Sequence, residues 1–152
     1  MSKETLDELY QLQPNARIRI ERSAGYAVFS NFGMRFFIAG GGSGEGLAFE
    51  VISGKSIPMK MVELQAGMGM GIKKFRLVWV FDDKANFNTF VNSGWELVGQ
   101  YSALAKVSKT GLALEGAISV KPGVWLYQIT NNGLSLELVV KGSKYYRNSS
   151  LN

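Results

Sequence analysis

The chain has 152 residues, 46% of them hydrophobic and 19% charged, with a net charge of +5, a balance that fits one folded domain. It contains neither histidine nor cysteine, which removes disulfides, thiolate nucleophiles, imidazole or thiolate metal ligands and Ser-His-Asp catalysis. Catalysis would have to rest on carboxylates, lysine or tyrosine.

Met1 to Tyr10 is polar and partly acidic, without the cationic start and apolar core of a signal peptide. If the protein is exported, the signal has been removed from this chain. No run reaches the ~18 apolar residues of a membrane span. Ser2 to Gln13 predicts a short helix, with Ser2 as cap and Leu6, Leu9 and Tyr10 on one face. Pro14 ends it or opens the next element. In Arg17 to Arg22, alternation puts Ile18 and Ile20 on one strand face, whereas helical spacing sets them ~200° apart. Local pattern therefore favours an extended segment.

From Gly25 the chain is mostly strand-like: Tyr26 to Asn31, Met34 to Ala39, Leu47 to Ile52, Met59 to Gly71 and Phe75 to Phe81. A turn is expected at Ser53-Gly54-Lys55. Lys84 to Asn92 predicts a second helix, capped by Asp82 or Asp83, with Phe87, Phe90 and Val91 on one face and Gly94 as its stop. Strands return at Trp95 to Val107, Leu112 to Val120, Val124 to Thr130 and Leu134 to Val140, and Asn131-Asn132-Gly133 signals a hairpin.

Glycines carry the architectural argument. In Gly67-Met68-Gly69-Met70-Gly71 all three glycines share one strand face, a bare surface that weakens a strand unless a ring or backbone packs there or the sheet bends sharply. We expect Gly25, Gly41, Gly42, Gly44, Gly67, Gly69 and Gly71 to act structurally. The fold class is α+β and β-rich, a strongly curved, barrel-like antiparallel sheet with two or three short helices. Residues 1–13 form an N-terminal helix and 14–152 a single domain.

Several motifs fail on spacing. Gly40-x-Gly42 would need its third glycine at Glu45, and Gly54-Lys55-Ser56 would need a glycine at Phe49, so neither is a nucleotide loop. Glu115 and Glu137 fall on adjacent predicted strands, but solvation or pairing with lysine explains them more simply than glycoside hydrolysis. Asp82-Asp83 reads as a helix cap before it reads as a calcium site. No cofactor and no metal are implied. The cations Arg17, Arg19, Arg22, Arg35, Lys55, Lys60, Lys73, Lys74 and Arg76, and a tail with Lys141, Lys144, Tyr145, Tyr146 and Arg147, fit an ordinary solvated surface first, and after that an anionic membrane surface better than nucleic acid or a protein partner.

Eight segments together resemble the SYLF lipid-binding family, whose members include the yeast actin-patch type and bacterial envelope proteins. They are Ala24 to Phe29, Gly40 to Gly46, Gly67 to Gly71, Val78 to Asp83, Ser93-Gly94-Trp95, Gly116 to Val120, Tyr127 to Thr130 and Lys141 to Tyr146. They run in order over about residues 14–152, the last three most like the bacterial branch. The resemblance implies a non-enzymatic module for acidic phospholipid, with phosphoinositides as ligand in eukaryotic members and actin as a further partner in some. It also implies a helix over about Pro14 to Ser23, against the local alternation, and both readings of that segment stay open. The first helix carries Glu4, Asp7 and Glu8 against Lys3, so an anionic surface repels it. Contact then falls to Arg17, Arg19 and Arg22, or to Lys73, Lys74 and Arg76 near the sheet. The expected setting is the bacterial cell envelope or periplasm. A protein-interaction module, or a small-ligand carrier lined by Met68 and Met70, are the other readings.

Overall fold

Residues 2–30, 35–36, 42–63, 75–97, 113–136 and 143–148 are described by a computed structural model. The opening helix, α1 (Ser2–Leu12), buries Thr5 and Leu9. Pro14 adopts helical angles (φ −56°, ψ −33°) and leads into a second helix, α2 (Asn15–Arg22). The extended reading of this segment is therefore wrong. Its alternation rests on Ile18 and Ile20 alone, whereas the buried stripe is Ala16 with Ile20, four residues apart. Ile18 is left 51% exposed.

The strands that follow are β1 (Gly25–Ser30), β2 (Arg35–Phe36), β3 (Gly42–Glu50), β4 (Ser56–Glu63) and β5 (Phe75–Phe81). After helix α3 (Lys84–Asn92) come β6 (Trp95–Leu97), β7 (Ala113–Leu114), β8 (Ala117–Lys121), β9 (Val124–Thr130), β10 (Gly133–Ser135) and β11 (Ser143–Arg147). The described pairings are all antiparallel, in the order β6-β11-β4-β3-β1-β5-β9-β8-β7, with β2 beside β3 and β10 beside β9. The sheet is a strongly curled half-barrel. Its curl can be read from the rings. Strands β11 and β5 stand four places apart, ~19 Å in a flat sheet, yet Tyr145 and Trp79 have ring centroids 5.2 Å apart. Trp95 of β6, one strand further, also lies 5.2 Å from Trp79.

Alternation sorts the central strands between two cores. Ala27, Phe29, Leu77, Trp79, Phe81 and Leu126 face α3, whose Phe87, Phe90 and Val91 complete that core. Val28, Val78, Val80, Tyr127 and Ile129 face the other way, under Leu9 of α1 and Ala16 and Ile20 of α2. With both faces covered, β1, β5 and β9 are buried almost throughout. Helix α3 ends as its sequence predicts: Asp83 accepts a hydrogen bond from the Asn86 amide (2.7 Å), and Gly94 takes a positive φ of 79°.

Small residues make room for the curl. Gly44, Gly46 and Ala48 share a face of β3 by period two, and Ala48 pairs with Ala27, and Gly46 with Phe29, on β1. A methyl group on Gly46 would sit 2.6 Å from Phe29 Cε1, and one on Gly25 would meet the Phe87 ring and the Phe49 carbonyl at 2.8 Å. Gly42 belongs to the same strand, so residues 42–46 of the glycine cluster open β3 within the sheet. Gly41, Gly67, Gly69 and Gly71 lie outside the described residues.

Two further expectations change. Within the predicted strand Leu112 to Val120, residues 113–120 form a hairpin, because Glu115 (φ 52°) and Gly116 (φ 83°) turn the chain between Leu114 and its partner Ala117. The basic tail forms β11 between β4 and β6, and its Tyr145 is fully buried, as is Trp79. Neither ring is available to a membrane interface.

Candidate functional site

Helix α2 carries three candidate cations on the α1/α2 side of the sheet and brings two of them, Arg19 and Arg22, to one hollow. Arg19 is the most enclosed. Its guanidinium lies 4.4 Å over the Trp125 ring and 3.8 Å from the Glu115 carboxylate. The indole of Trp125 in turn donates to Asp82 Oδ2 at 3.0 Å. This chain of contacts fastens α2 to the turn that follows β5, and it spends the Arg19 charge largely within the fold. Arg17 lies on the other side of the helix, over the Tyr10 ring at 4.4 Å.

Arg22, one turn beyond Ile18, is exposed and makes no ion pair among the described residues. Asn15, Ile18, Arg19, Arg22, Asp82 and Glu115 surround an open hollow of about 480 Å³. Its charges are mixed, two arginines against two carboxylates. Asp82 and Glu115 were not singled out by the sequence for this place. The Glu-Gly pair inside an alternating run was the available sign of a turn, and hence of an exposed carboxylate.

The other candidates are elsewhere. Arg76, near the start of β5, is ion-paired with Glu8 of α1. The hollow borders Asp82, just past the end of that strand, so Arg76 lies ~20 Å away along β5. Lys73 and Lys74 fall outside the described residues, as does Glu137. Glu96 is paired with Lys144 at 3.3 Å, and Glu50 accepts from Ser53 Oγ at 2.6 Å. Among the described residues there is no cluster of three acidic side chains able to hold a metal. No helix there is long and apolar enough to cross a membrane.

Three phenols border the helix-covered core. Burial pushes Tyr10, Tyr26 and Tyr127 up from their ordinary pKa. A nearby arginine opposes the shift in two of them, Arg17 at Tyr10 and Arg19 at Tyr127.

The fold and site define a curled antiparallel module with a basic helix docked on one face and a mixed-charge hollow at one end. No family model matches the chain. The sequence is similar to Beta cell expansion factor A of Aeromonas veronii, with 31% identity over 151 residues. The match covers 99% of this chain and 56% of that protein, so the chain spans little more than half the length of the curated relative it matches.

Proposed function

We propose that the protein is a non-enzymatic lipid-binding module of the SYLF type, directed at acidic phospholipid or another component of a cell envelope. The observation that carries this reading is α2, with three arginines in eight residues, one of which, Arg22, is exposed and makes no ion pair among the described residues. The ordered set of SYLF-like segments and the net charge of +5 support it. The lack of histidine and cysteine suits a protein that binds without reacting. A small-ligand carrier draws less support, because the α3 side of the described sheet is filled by Phe29, Trp79, Phe81, Phe90 and Tyr145. The beta-cell effect in the relative's name is a property of a longer protein, and it adds no ligand to this reading.

Co-sedimentation with vesicles of phosphatidylcholine alone, or mixed with phosphatidylglycerol, tests the proposal. Binding is expected to the acidic vesicles at low salt and to weaken as salt screens the contact. Arg22→Ala should lower it about fivefold, since one cation near a lipid surface contributes ~1 kcal/mol. No binding to acidic vesicles at low salt, or equal binding to both kinds, would overturn it.

A further inference from the structure

One end of the half-barrel combines exposed apolar side chains with unpaired cations. The tip between β3 and β4 holds Ile52, which at 87% is the most exposed large hydrophobic side chain among the described residues. The tip is well tied: Glu50 N–H donates to the Lys55 carbonyl (2.9 Å), Gly54 N–H to the Glu50 carbonyl (2.8 Å), and Ser53 Oγ to the Glu50 carboxylate. Gly54 supplies the positive φ of 72° that closes it. Ile52 is thus held outward by a turn closed by its own hydrogen bonds.

That tip sits beside the end of α2. Val51 N–H donates to the carbonyl of Ala24 at 3.1 Å, and Ala24 N–H donates to that of Phe81 at 2.9 Å. Ala24 follows Arg22 by two residues, and Asp82, next after Phe81, lines the hollow with Ile18 and Arg22. Ile18 and Arg22 share a side of α2 at i, i+4. Ile52, Lys55, Ile18 and Arg22 therefore belong to the same end of the molecule.

Glu50, Asp82 and Asp83 accept from neutral donors and keep their charge, and Glu115 faces Arg19. With Glu21 these carboxylates offset Arg22, Lys55, Lys84 and Lys121, which make no ion pair among the described residues. What distinguishes this end is therefore its outward isoleucines with Arg22 and Lys55 directly beside them, rather than an excess of positive charge. We propose that this end is the face that meets an anionic lipid surface, with Ile52 and Ile18 entering the headgroup boundary between Arg22 and Lys55. The inference rests on the lipid-binding reading and adds to it an apolar anchor, which salt does not screen.

The chain has no cysteine, so Ile52→Cys creates a single labelling site, and its exposure leaves the fold undisturbed. Asn132→Cys, in the turn after β9 at the opposite end, is the control. Each variant would carry an environment-sensitive fluorophore and be titrated with phosphatidylcholine–phosphatidylglycerol vesicles. A blue shift at position 52 and none at 132 is expected. The unlabelled Ile52→Ser variant should bind these vesicles about 5- to 20-fold more weakly, in keeping with partial burial of one isoleucine. Failure of the unmodified protein to bind sinks the lipid reading itself. Normal binding with no shift at position 52, or with Ile52→Ser equal to the parent, overturns this face alone.

Discussion

Gly46 shows how far one missing side chain shapes this protein. Phe29, its partner across the β1–β3 pair, lays its ring where a Cβ would be. Gly46→Ala should cost about 1–3 kcal/mol, the usual penalty for overfilling a packed site, and Phe29→Leu in the same chain should recover part of it. Urea unfolding of both checks this, and an unchanged midpoint for Gly46→Ala would refute the close approach. The buried phenols lead to a second expectation. An unfolded chain ionises Tyr10, Tyr26 and Tyr127 near pH 10, while the fold holds their protons to higher pH. Their contribution is therefore complete below about pH 10 and is lost as pH rises from there through their folded-state values. Urea midpoints should stay level to about pH 10 and then fall. Tyr127→Phe, whose lost hydroxyl has no hydrogen-bond partner among the described residues, should lessen the decline. A midpoint flat through pH 11 would contradict the expectation.

At the scale of elements, α2 separates two readings of one hexapeptide. On a strand Ile18 and Ile20 would be equivalent, whereas on the helix Ile20 is 3% exposed and Ile18 51%. Ile20→Ala should cost about 2–5 kcal/mol, and Ile18→Ala less than about 0.5 kcal/mol. Equal losses in urea melts would restore the strand. The segment was hard to read because its buried stripe has only two members, one of them an alanine, which alternation analysis passes over. Helix α3 was legible for the opposite reason: Asp83, three apolar residues and Gly94 all mark the same span. The hairpin at Asn131-Asn132-Gly133 was legible too, although only Gly133 takes a positive φ, 93°. The bare strand face argued for Gly67 to Gly71 falls outside the described residues, and the same physics is seen in β3, where Gly46 leaves room for the Phe29 ring.

At the scale of the whole molecule, the sheet's curl could be anticipated from glycine content, but its closure around Trp79 and Tyr145 could not. Local pattern does not say that a tail with Lys144 and Arg147 will carry a core tyrosine between β4 and β6. The site was legible in part. The α2 arginines are visible in sequence, whereas Trp125, Asp82 and Glu115 reach Arg19 only through long-range folding. One feature of the fold, the covering of β1, β5 and β9 on both faces, governs how the molecule can stand. The broad middle of the sheet has no bare side to lay flat, so a surface met at the Ile52 end is met upright, with the central strands steep to it. Seven-residue strands such as β5 and β9 are ~23 Å long. On the proposed lipid contact the turn at Asn132 would stand about that distance above the membrane, out of reach of quenchers placed in the headgroups.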